Sequence, residues 1–167
     1  MNITRFRLEN FKRHKELEFD LAPGLNIVRG PNEAGKTTVQ QALEMVLFRR
    51  PTSSSQDVDE AHSWRDEEAD PVVEIDYRDD EERGTLRKTF AGQNGTVEMR
   101  IADETLTDPA AVDAKVATLT GLPTEKFFRA TASVRHQELS GLTQDESTLR
   151  DRLQQSMSGA DRGTHDP

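Results

Sequence analysis

The sequence predicts an α/β fold in which a glycine-rich loop joins a buried strand to an amphipathic helix. Residues 30–37, GPNEAGKT, fit the pattern G-x-x-x-x-G-K-S/T, whose backbone N–H groups surround a phosphate chain. The apolar run at 24–28, GLNIV, precedes the loop and is typical of a buried strand. Alternating apolar and polar residues beyond position 72 predict an antiparallel β-meander.

Two further strands are predicted ahead of the loop. In both segments apolar residues alternate with charged ones, and these apolar positions are Phe6, Leu8, Leu17, Phe19 and Leu21. Such alternation is expected of strands that bury one face and expose the other. Pro23-Gly24 is a turn signal that leads the chain into the strand at 24–28.

The helix predicted after the loop carries a single apolar face. Its members recur at helical spacing and are Val39, Ala42, Leu43, Val46 and Leu47. A strand, a glycine-rich loop and a helix in this order direct the helix dipole and its free N–H groups at an anion. This context favours a nucleotide site over a chance match in a structural loop.

The loop therefore predicts a site for ATP and Mg²⁺. Lys36 is expected to reach the β- and γ-phosphates, which makes it a catalytic candidate, and Thr37 is expected to bind Mg²⁺ through its hydroxyl. The predicted cofactor-binding residues are Gly30, Pro31, Asn32, Glu33, Ala34, Gly35, Lys36, Thr37 and Thr38.

The meander and the last third of the chain complete the predicted elements. The apolar positions of the meander are Val73, Ile75, Tyr77, Leu86, Phe90, Val97, Met99 and Ile101, with Asn94-Gly95 as a hairpin signal. Asp108-Pro109 predicts the start of a helix that ends at Gly121, and residues 127–134 are interpreted as a strand. Residues 144–167 are predicted to begin a coiled-coil arm or to form a truncated tail, leaving residues 1–143 as the main lobe.

Composition and charge exclude several classes of protein. The chain of 167 residues has no cysteine, and its four histidines show no metal-ligand spacing. No apolar run is long enough for a membrane span or signal peptide, so a cytoplasmic protein without a membrane partner is expected. The net charge is −9, but residues 57–82 hold 13 Asp/Glu against two Arg, so they carry −11 and the remainder sums to +2.

The residues outside 57–82 are mildly basic and could bind duplex DNA even though the whole chain is acidic. Lys12, Arg13 and Lys15 are the candidates for DNA contacts. A solvated turn at the end of a strand would have the same composition, and Arg13 could instead lie near the nucleotide. Residues 57–82 are expected to contribute no DNA contact, and a solvated acidic loop is their simplest interpretation.

Residues 3–38 resemble the N-terminal lobe of the head of SMC-like ATPases in the ABC superfamily, and the resemblance extends over about residues 1–155. The matching features are NFK at residues 10–12, the strand pair before the loop, and Asn32 within it. The resemblance is nearest to the Rad-fifty/SbcC double-strand-break repair ATPases. Glu33-Ala34 departs from the commoner Gly-Ser or Gly-Ala of this family. The family implies the P-loop NTPase fold, with this chain as the N-terminal lobe of the head.

The resemblance also assigns a role to Gln137, in SVRHQEL. It occupies the place of the family's Q-loop glutamine, which would complete the Mg²⁺ shell and position the attacking water. Leu139-Ser140-Gly141 is not accepted as the family's signature motif, because Leu142 stands where a second glycine is needed. Asp79-Asp80 is not accepted as the Walker B acid, because its segment alternates like an edge strand.

Two functions remain open at this point. The first is the ATP-binding half of an SMC-like head that acts in double-strand-break repair, with ATP-driven head dimerisation and hydrolysis-driven release on DNA. Its implied partners are a complementary C-terminal head lobe, a second head, a nuclease subunit and duplex DNA. In this interpretation the chain alone binds ATP without efficient turnover. The alternative is an SMC-like nucleotide switch in a membrane-linked or phage-defence system; a small P-loop kinase lacks a catalytic acid and a lid.

Overall fold

The chain forms an antiparallel sheet of six strands with helices packed against one face. The computed structural model describes residues 1–63, 68–80 and 82–133. Within them the strands are β1 (Asn2–Phe11), β2 (His14–Asp20), β3 (Val72–Asp79), β4 (Glu82–Thr89), β5 (Thr96–Ile101) and β6 (Glu104–Leu106). Their order in the sheet is β2-β1-β3-β4-β5-β6, and every neighbouring pair is antiparallel.

Four α-helices lie in the described residues. They are α1 (Lys36–Phe48), α2 (Gln56–Asp59), α3 (Pro109–Thr120) and α4 (Glu125–Thr131). α1 contacts β1, β3 and β4, whereas α3 contacts β5 and α1. The chain divides into two units, Met1–Thr120 and a second that begins at Gly121. The predicted boundary between residues 143 and 144 lies outside the described residues and stays a prediction.

The core of the first unit lies between the sheet and helices α1 and α3, and the predicted alternation accounts for it. Phe6 and Leu8 of β1 are buried on the same face as Ile75 of β3. The predicted face of α1 is confirmed: Ala42, Val46 and Leu47 are buried, while Val39 and Leu43 are partly buried against the same cluster. Burial of this apolar surface is the main favourable contribution to folding.

The opposite face of the sheet is charged, and its charges are paired across strands. Arg87 contacts Glu74 of β3 at 2.9 Å, and Arg7 contacts Glu16 of β2 at 3.4 Å. Arg7 also contacts Glu9 of its own strand at 3.0 Å. Part of the acidic segment 57–82 is therefore the outer face of β3 rather than a solvated loop. Because its carboxylates alternate with arginines, this face presents no uniform field to a polyanion.

α3 begins and ends as the sequence predicts. The Oδ2 atom of Asp108 accepts a hydrogen bond from the N–H of Ala111 at 2.8 Å, which caps the helix N-terminus. Val112 and Val116 are buried, and Gly121 follows the helix with a φ of +67°. A glycine in the left-handed region is the common way to end a helix.

Two predicted strands are wrong. Residues 24–28 lie outside every strand of the described chain, and Leu25, Ile27 and Val28 are exposed by 87%, 63% and 51%. A strand requires a hydrogen-bonded neighbour, and the described residues supply none here. The segment is held instead by Asn26, whose Oδ1 accepts from the N–H of Ala22 and whose Nδ2 donates to the Ala22 carbonyl.

The second wrong strand is the one predicted at 127–134, where residues 125–131 form helix α4. Thr124 caps this helix by accepting a hydrogen bond from the N–H of Phe127 at 3.1 Å. Arg129 and Glu125 add an ion pair at i,i+4 spacing, at 2.7 Å. These local interactions outweigh the strand propensity of the two adjacent phenylalanines.

The connection between β4 and β5 forms a hairpin, as Asn94-Gly95 predicts, but the turn has a different geometry. A 3₁₀ turn at Gly92–Asn94 makes the connection, and the positive φ of +54° falls on Gly92. The sequence gives no signal for β6 or for the short helix α2, because both are only three or four residues long.

Lys88 is a charged residue inside the core. Its side chain is 1% exposed, and its ammonium donates to the carbonyl of Arg49 at 2.9 Å, at the C-terminal end of α1. Burial lowers the pKa of Lys88 from 10.5 to about 8, although the Asp113 carboxylate at 4.0 Å opposes the shift and Arg50 adds to it. A cation at this position complements the negative end of the helix.

We expect the stability of the protein to rise with pH because of Lys88. Below about pH 8 the Lys88 side chain is charged in both the folded and the unfolded protein, and burial of this charge destabilises the folded protein. As the pH rises from 8 towards 10.5, the folded state loses this proton while the unfolded state still binds it. The free energy of unfolding should therefore increase, by about 2 kcal/mol between pH 8 and 9.5. Urea denaturation at the two pH values measures this increase.

The control for this prediction is Lys88→Met, which fills the same space without a titrating group. Its stability should lack the increase that the wild type shows over this pH interval. An equal pH dependence in both proteins would contradict a lowered pKa of Lys88.

Candidate nucleotide-binding site

The glycine-rich loop is closed by Lys36, the first residue of α1. The Lys36 ammonium donates to the carbonyls of Gly30 at 2.8 Å and Pro31 at 2.7 Å. An ammonium has three N–H donors, so these two bonds leave one for a phosphate oxygen. The Lys36 side chain therefore spans the loop from its last residues to its first while its charge remains exposed to an incoming anion.

The N-terminus of α1 offers free backbone donors beside this ammonium. Gly35 precedes the helix, no side chain caps it, and the first turn holds no acidic residue. The first N–H groups of a helix have no partner within it, and together with the dipole they favour an anion. Thr37 is exposed at this end, as a Mg²⁺ ligand must be, whereas Thr38 is 8% exposed.

Two residues of the loop adopt left-handed backbone conformations. Gly35 has a φ of +91° and Glu33 a φ of +64°, next to a turn in which the N–H of Ala34 donates to the Pro31 carbonyl at 3.2 Å. Glu33 stands where the resembling family commonly has glycine, and a side chain in this region costs about 1–2 kcal/mol. The loop adopts this conformation although Glu33 is not a glycine.

The turn between β1 and β2 lies against the loop. A Cβ atom added to Gly35 would overlap the ring of His14 and would lie 3.1 Å from the Cδ of Arg13. The Nε2 atom of His14 is buried there without a hydrogen-bond partner among the described residues. Sequence reasoning missed His14, because its contact with Gly35 depends on how the turn packs and no motif marks it.

The three candidate DNA residues lie at this same turn but differ in their surroundings. Lys12 donates to the Oε1 of Gln41 on α1 at 2.9 Å, and its backbone has a φ of +52°. Arg13 and Lys15 are exposed, and the stem of Arg13 rests on Gly35. Arg13 therefore lies beside the glycine-rich loop, and its proximity to a nucleotide stays a prediction. The role of all three residues in DNA binding also stays a prediction.

Several predicted features lie outside the described residues. These are Gln137, the rejected signature at residues 139–142, and the predicted arm at 144–167. Within residues 1–63, 68–80 and 82–133, no three acidic or histidine side chains gather as a metal site. The same residues include no helix that combines the length and the apolarity of a membrane span.

A separate cavity of about 530 Å³ shares no residue with the loop. It lies at the ends of β3, β4 and β5, and its wall includes Asp76, Arg78, Arg83 and Arg100. Asp76 already accepts from the hydroxyl of Thr85 at 2.7 Å, and Arg78 donates to the Asp80 carbonyl at 2.8 Å.

Comparison with known proteins identifies a family and several relatives of the chain. The family model described as an AAA domain matches residues 5–157. The DNA double-strand break repair Rad50 ATPase of Methanopyrus kandleri is 41% identical over 73 residues, which are 44% of this chain and 8% of that protein. The DNA replication and repair protein RecF of Salinibacter ruber is 40% identical over 57 residues, 34% of this chain and 14% of that protein.

The fold is also found in a solved structure, that of the recombination mediator protein RecF-ATPrS in the RecFOR pathway. The TM-score is 0.50 at 18% identity, over 66% of this chain and 29% of the other. The predicted fold class, a P-loop NTPase, and the resemblance to the N-terminal region of an SMC-like ABC ATPase head are both confirmed. The matched region spans less than a third of each of these relatives.

Proposed function

The chain belongs to the AAA domain family, whose model matches residues 5–157, and from this premise we propose that it is the ATP-binding N-terminal half of an SMC-like ATPase head that acts in DNA double-strand-break repair. The observation that carries the proposal is the loop at residues 30–38. There the Lys36 ammonium and the uncapped N-terminus of α1 converge on one exposed site. The names of the Rad50 and RecF relatives support a role in DNA repair.

The residues of the loop fit a nucleoside triphosphate and Mg²⁺. Gly35 leaves no room for a side chain, the helix donors are uncapped, and one N–H of Lys36 remains for a phosphate. Thr37 would hold Mg²⁺, and by resemblance Gln137 would be a second ligand that also positions water. Bound Mg²⁺ would neutralise charge on the phosphates. Lys36 would stabilise the same charge, and the loop N–H groups would orient the phosphate chain.

A complementary C-terminal lobe is the first partner that we propose. Leu25, Ile27 and Val28 form an apolar segment exposed immediately before the loop. An exposed segment of this composition without a paired neighbour is an unfavourable surface for an isolated protein. A strand of the complementary lobe that paired with residues 24–28 would bury these side chains and would fix the first residue of the loop.

The same lobe would supply groups that this chain lacks. The sequence contains neither a Walker B acid nor a complete signature motif. In the proposed mechanism ATP binding joins two complete heads and hydrolysis releases them, so the chain alone binds ATP with little turnover. A nuclease subunit, duplex DNA and a location in the cytoplasm at the nucleoid complete the proposal.

DNA binding distinguishes this function from a switch that does not act on DNA. We expect the triple variant Lys12→Glu, Arg13→Glu and Lys15→Glu to bind duplex DNA more weakly. The logarithm of its affinity should also depend less steeply on the logarithm of salt concentration, because each lost phosphate contact lowers that slope by about 0.9. Fluorescence anisotropy with a labelled duplex across a salt series measures both effects.

Charge reversal at an acidic site provides the control. A variant with Asp59→Lys and Glu60→Lys changes charge in the segment that is expected to avoid DNA, so it should not flatten the salt dependence. If the triple variant keeps the slope of the wild type, residues 12–15 are not a DNA surface. If the wild type shows no salt-dependent DNA binding, the result favours the alternative function, a nucleotide switch that does not act on DNA.

A further inference from the structure

The cavity of about 530 Å³ at the ends of β3, β4 and β5 has a cationic wall. Its charged residues are Arg78, Arg83, Arg100 and Asp76, so the one carboxylate reduces the charge of the arginines without cancelling it. Residues directly opposite each other in a sheet share a face. Arg78 lies opposite Arg83, and Arg100 lies opposite Thr85, two residues along from Arg83. The three arginines therefore meet on the outer face of the sheet, away from the helices.

These arginines keep donors that no described residue uses. The Nε of Arg78 donates to the Asp80 carbonyl at 2.8 Å, and Arg100 is paired with Glu98. The guanidinium of Arg83 makes no hydrogen bond or ion pair with a described residue. Each guanidinium has five N–H donors, so most of them remain available. Like charges directly opposite each other destabilise a sheet, so the Arg78–Arg83 pair has a cost that a bound anion would offset.

We propose that this cavity is a second anion site, which binds a small phosphate compound such as pyrophosphate or the phosphate chain of a free nucleotide. Planar guanidinium groups bind phosphate oxygens through two parallel N–H donors, which makes arginine well suited to this ligand. The inference goes beyond the proposed function, because the cavity shares no residue with the loop at 30–38.

The surroundings of the cavity favour a compact anion over a long one. Elsewhere on the outer face, carboxylates alternate with arginines and are paired with them, as Glu74 is with Arg87 and Glu18 with Arg5. A DNA duplex laid over this face would bring its phosphates against those carboxylates. A small anion inside the cavity would contact the arginines and avoid the carboxylates around them.

Pyrophosphate binding by a protein without the loop ammonium tests the proposal. In the Lys36→Ala background we expect titration calorimetry without Mg²⁺ to show one bound pyrophosphate. Adding Arg78→Gln and Arg83→Gln together should lower this affinity at least tenfold, because both guanidinium groups are lost. The melting temperature of the ligand-free protein should stay equal or rise, since the two substitutions remove a pair of like charges.

Arg87→Gln in the same background is the matched control. It removes the same charge from the same face of β4, but Arg87 does not line the cavity. Its pyrophosphate affinity should therefore remain that of the Lys36→Ala protein. Equal losses in Arg87→Gln and in the double substitution would overturn the proposal, because a general effect of charge would explain them.

The remaining outcomes separate this proposal from its competitors. Full pyrophosphate affinity after the double substitution, or no pyrophosphate binding by the Lys36→Ala protein, would overturn it. A loss of affinity for a labelled DNA duplex with unchanged pyrophosphate affinity would identify the arginines as a nucleic-acid surface and would also overturn it. ATP binding by the wild type together with no pyrophosphate binding by Lys36→Ala would reject the cavity site and leave the proposed function intact.

Discussion

Lys36→Ala should lower the affinity for ATP at least tenfold while the protein remains folded. The ammonium is exposed and closes the loop through the carbonyls of Gly30 and Pro31, so its removal leaves the core intact. A charge-assisted hydrogen bond to a phosphate is worth about 1.5–3 kcal/mol, which corresponds to a tenfold to hundredfold change in affinity. Titration calorimetry with Mg²⁺ and ATP measures the change.

Lys115→Ala is the matched control for this experiment. It removes the same charge from α3, where Lys115 contacts Glu82 at 3.9 Å, and leaves the loop unchanged. Its ATP affinity should remain that of the wild type. Equal ATP affinity in Lys36→Ala and the wild type would reject the assignment of the loop as a phosphate site.

Gly35→Ala should have an effect of similar size for a different reason. The new Cβ would have to occupy the space of the His14 ring in a residue whose φ is +91°. Because the turn and the loop cannot both keep their positions, the first N–H groups of α1 should move away from the phosphates. We expect ATP affinity to fall at least tenfold, together with a loss of stability of about 1–2 kcal/mol from the left-handed conformation.

Gly24→Ala isolates the contribution of the contact with His14. Gly24 has a φ of +87°, close to that of Gly35, but an added Cβ would meet nothing within 4 Å. This variant should show the backbone cost in thermal denaturation and retain ATP affinity. If Gly35→Ala binds ATP as well as Gly24→Ala does, close packing at Gly35 is not needed for the site.

The sequence predicted the elements whose causes are local. The face of α1, the alternation in β1 to β5 and the cap at Asp108 each depend on residues a few positions apart, and all are found in the structure. The glycine-rich loop was predicted for the same reason, because the spacing of its glycines, lysine and threonine is a local pattern. Lys36 and Thr37 both lie at the N-terminus of α1, where that pattern places them.

The errors occur where structure depends on distant residues or on competition between local signals. The segment GLNIV has the composition of a buried strand. A strand forms only where a neighbouring strand hydrogen-bonds to it, and the composition of the segment does not reveal whether one is present. At residues 125–131 a helix cap outweighed strand propensity. The contact of His14 with Gly35 joins residues 21 positions apart and required the packed turn to be seen.

Parallel measurement of ATP binding and phosphate release by the purified chain tests the account most directly. Phosphoryl transfer to water requires a cradle, a metal, a group that orients the water, and charge stabilisation opposite the γ-phosphate. Residues 30–38 supply the cradle, but no residue of the chain fills the role of the Walker B acid. We predict that the chain binds one ATP through the loop, that phosphate release stays near the buffer background, and that a complementary lobe raises it. Rapid phosphate release by the chain alone, abolished by Lys36→Ala, would contradict the account.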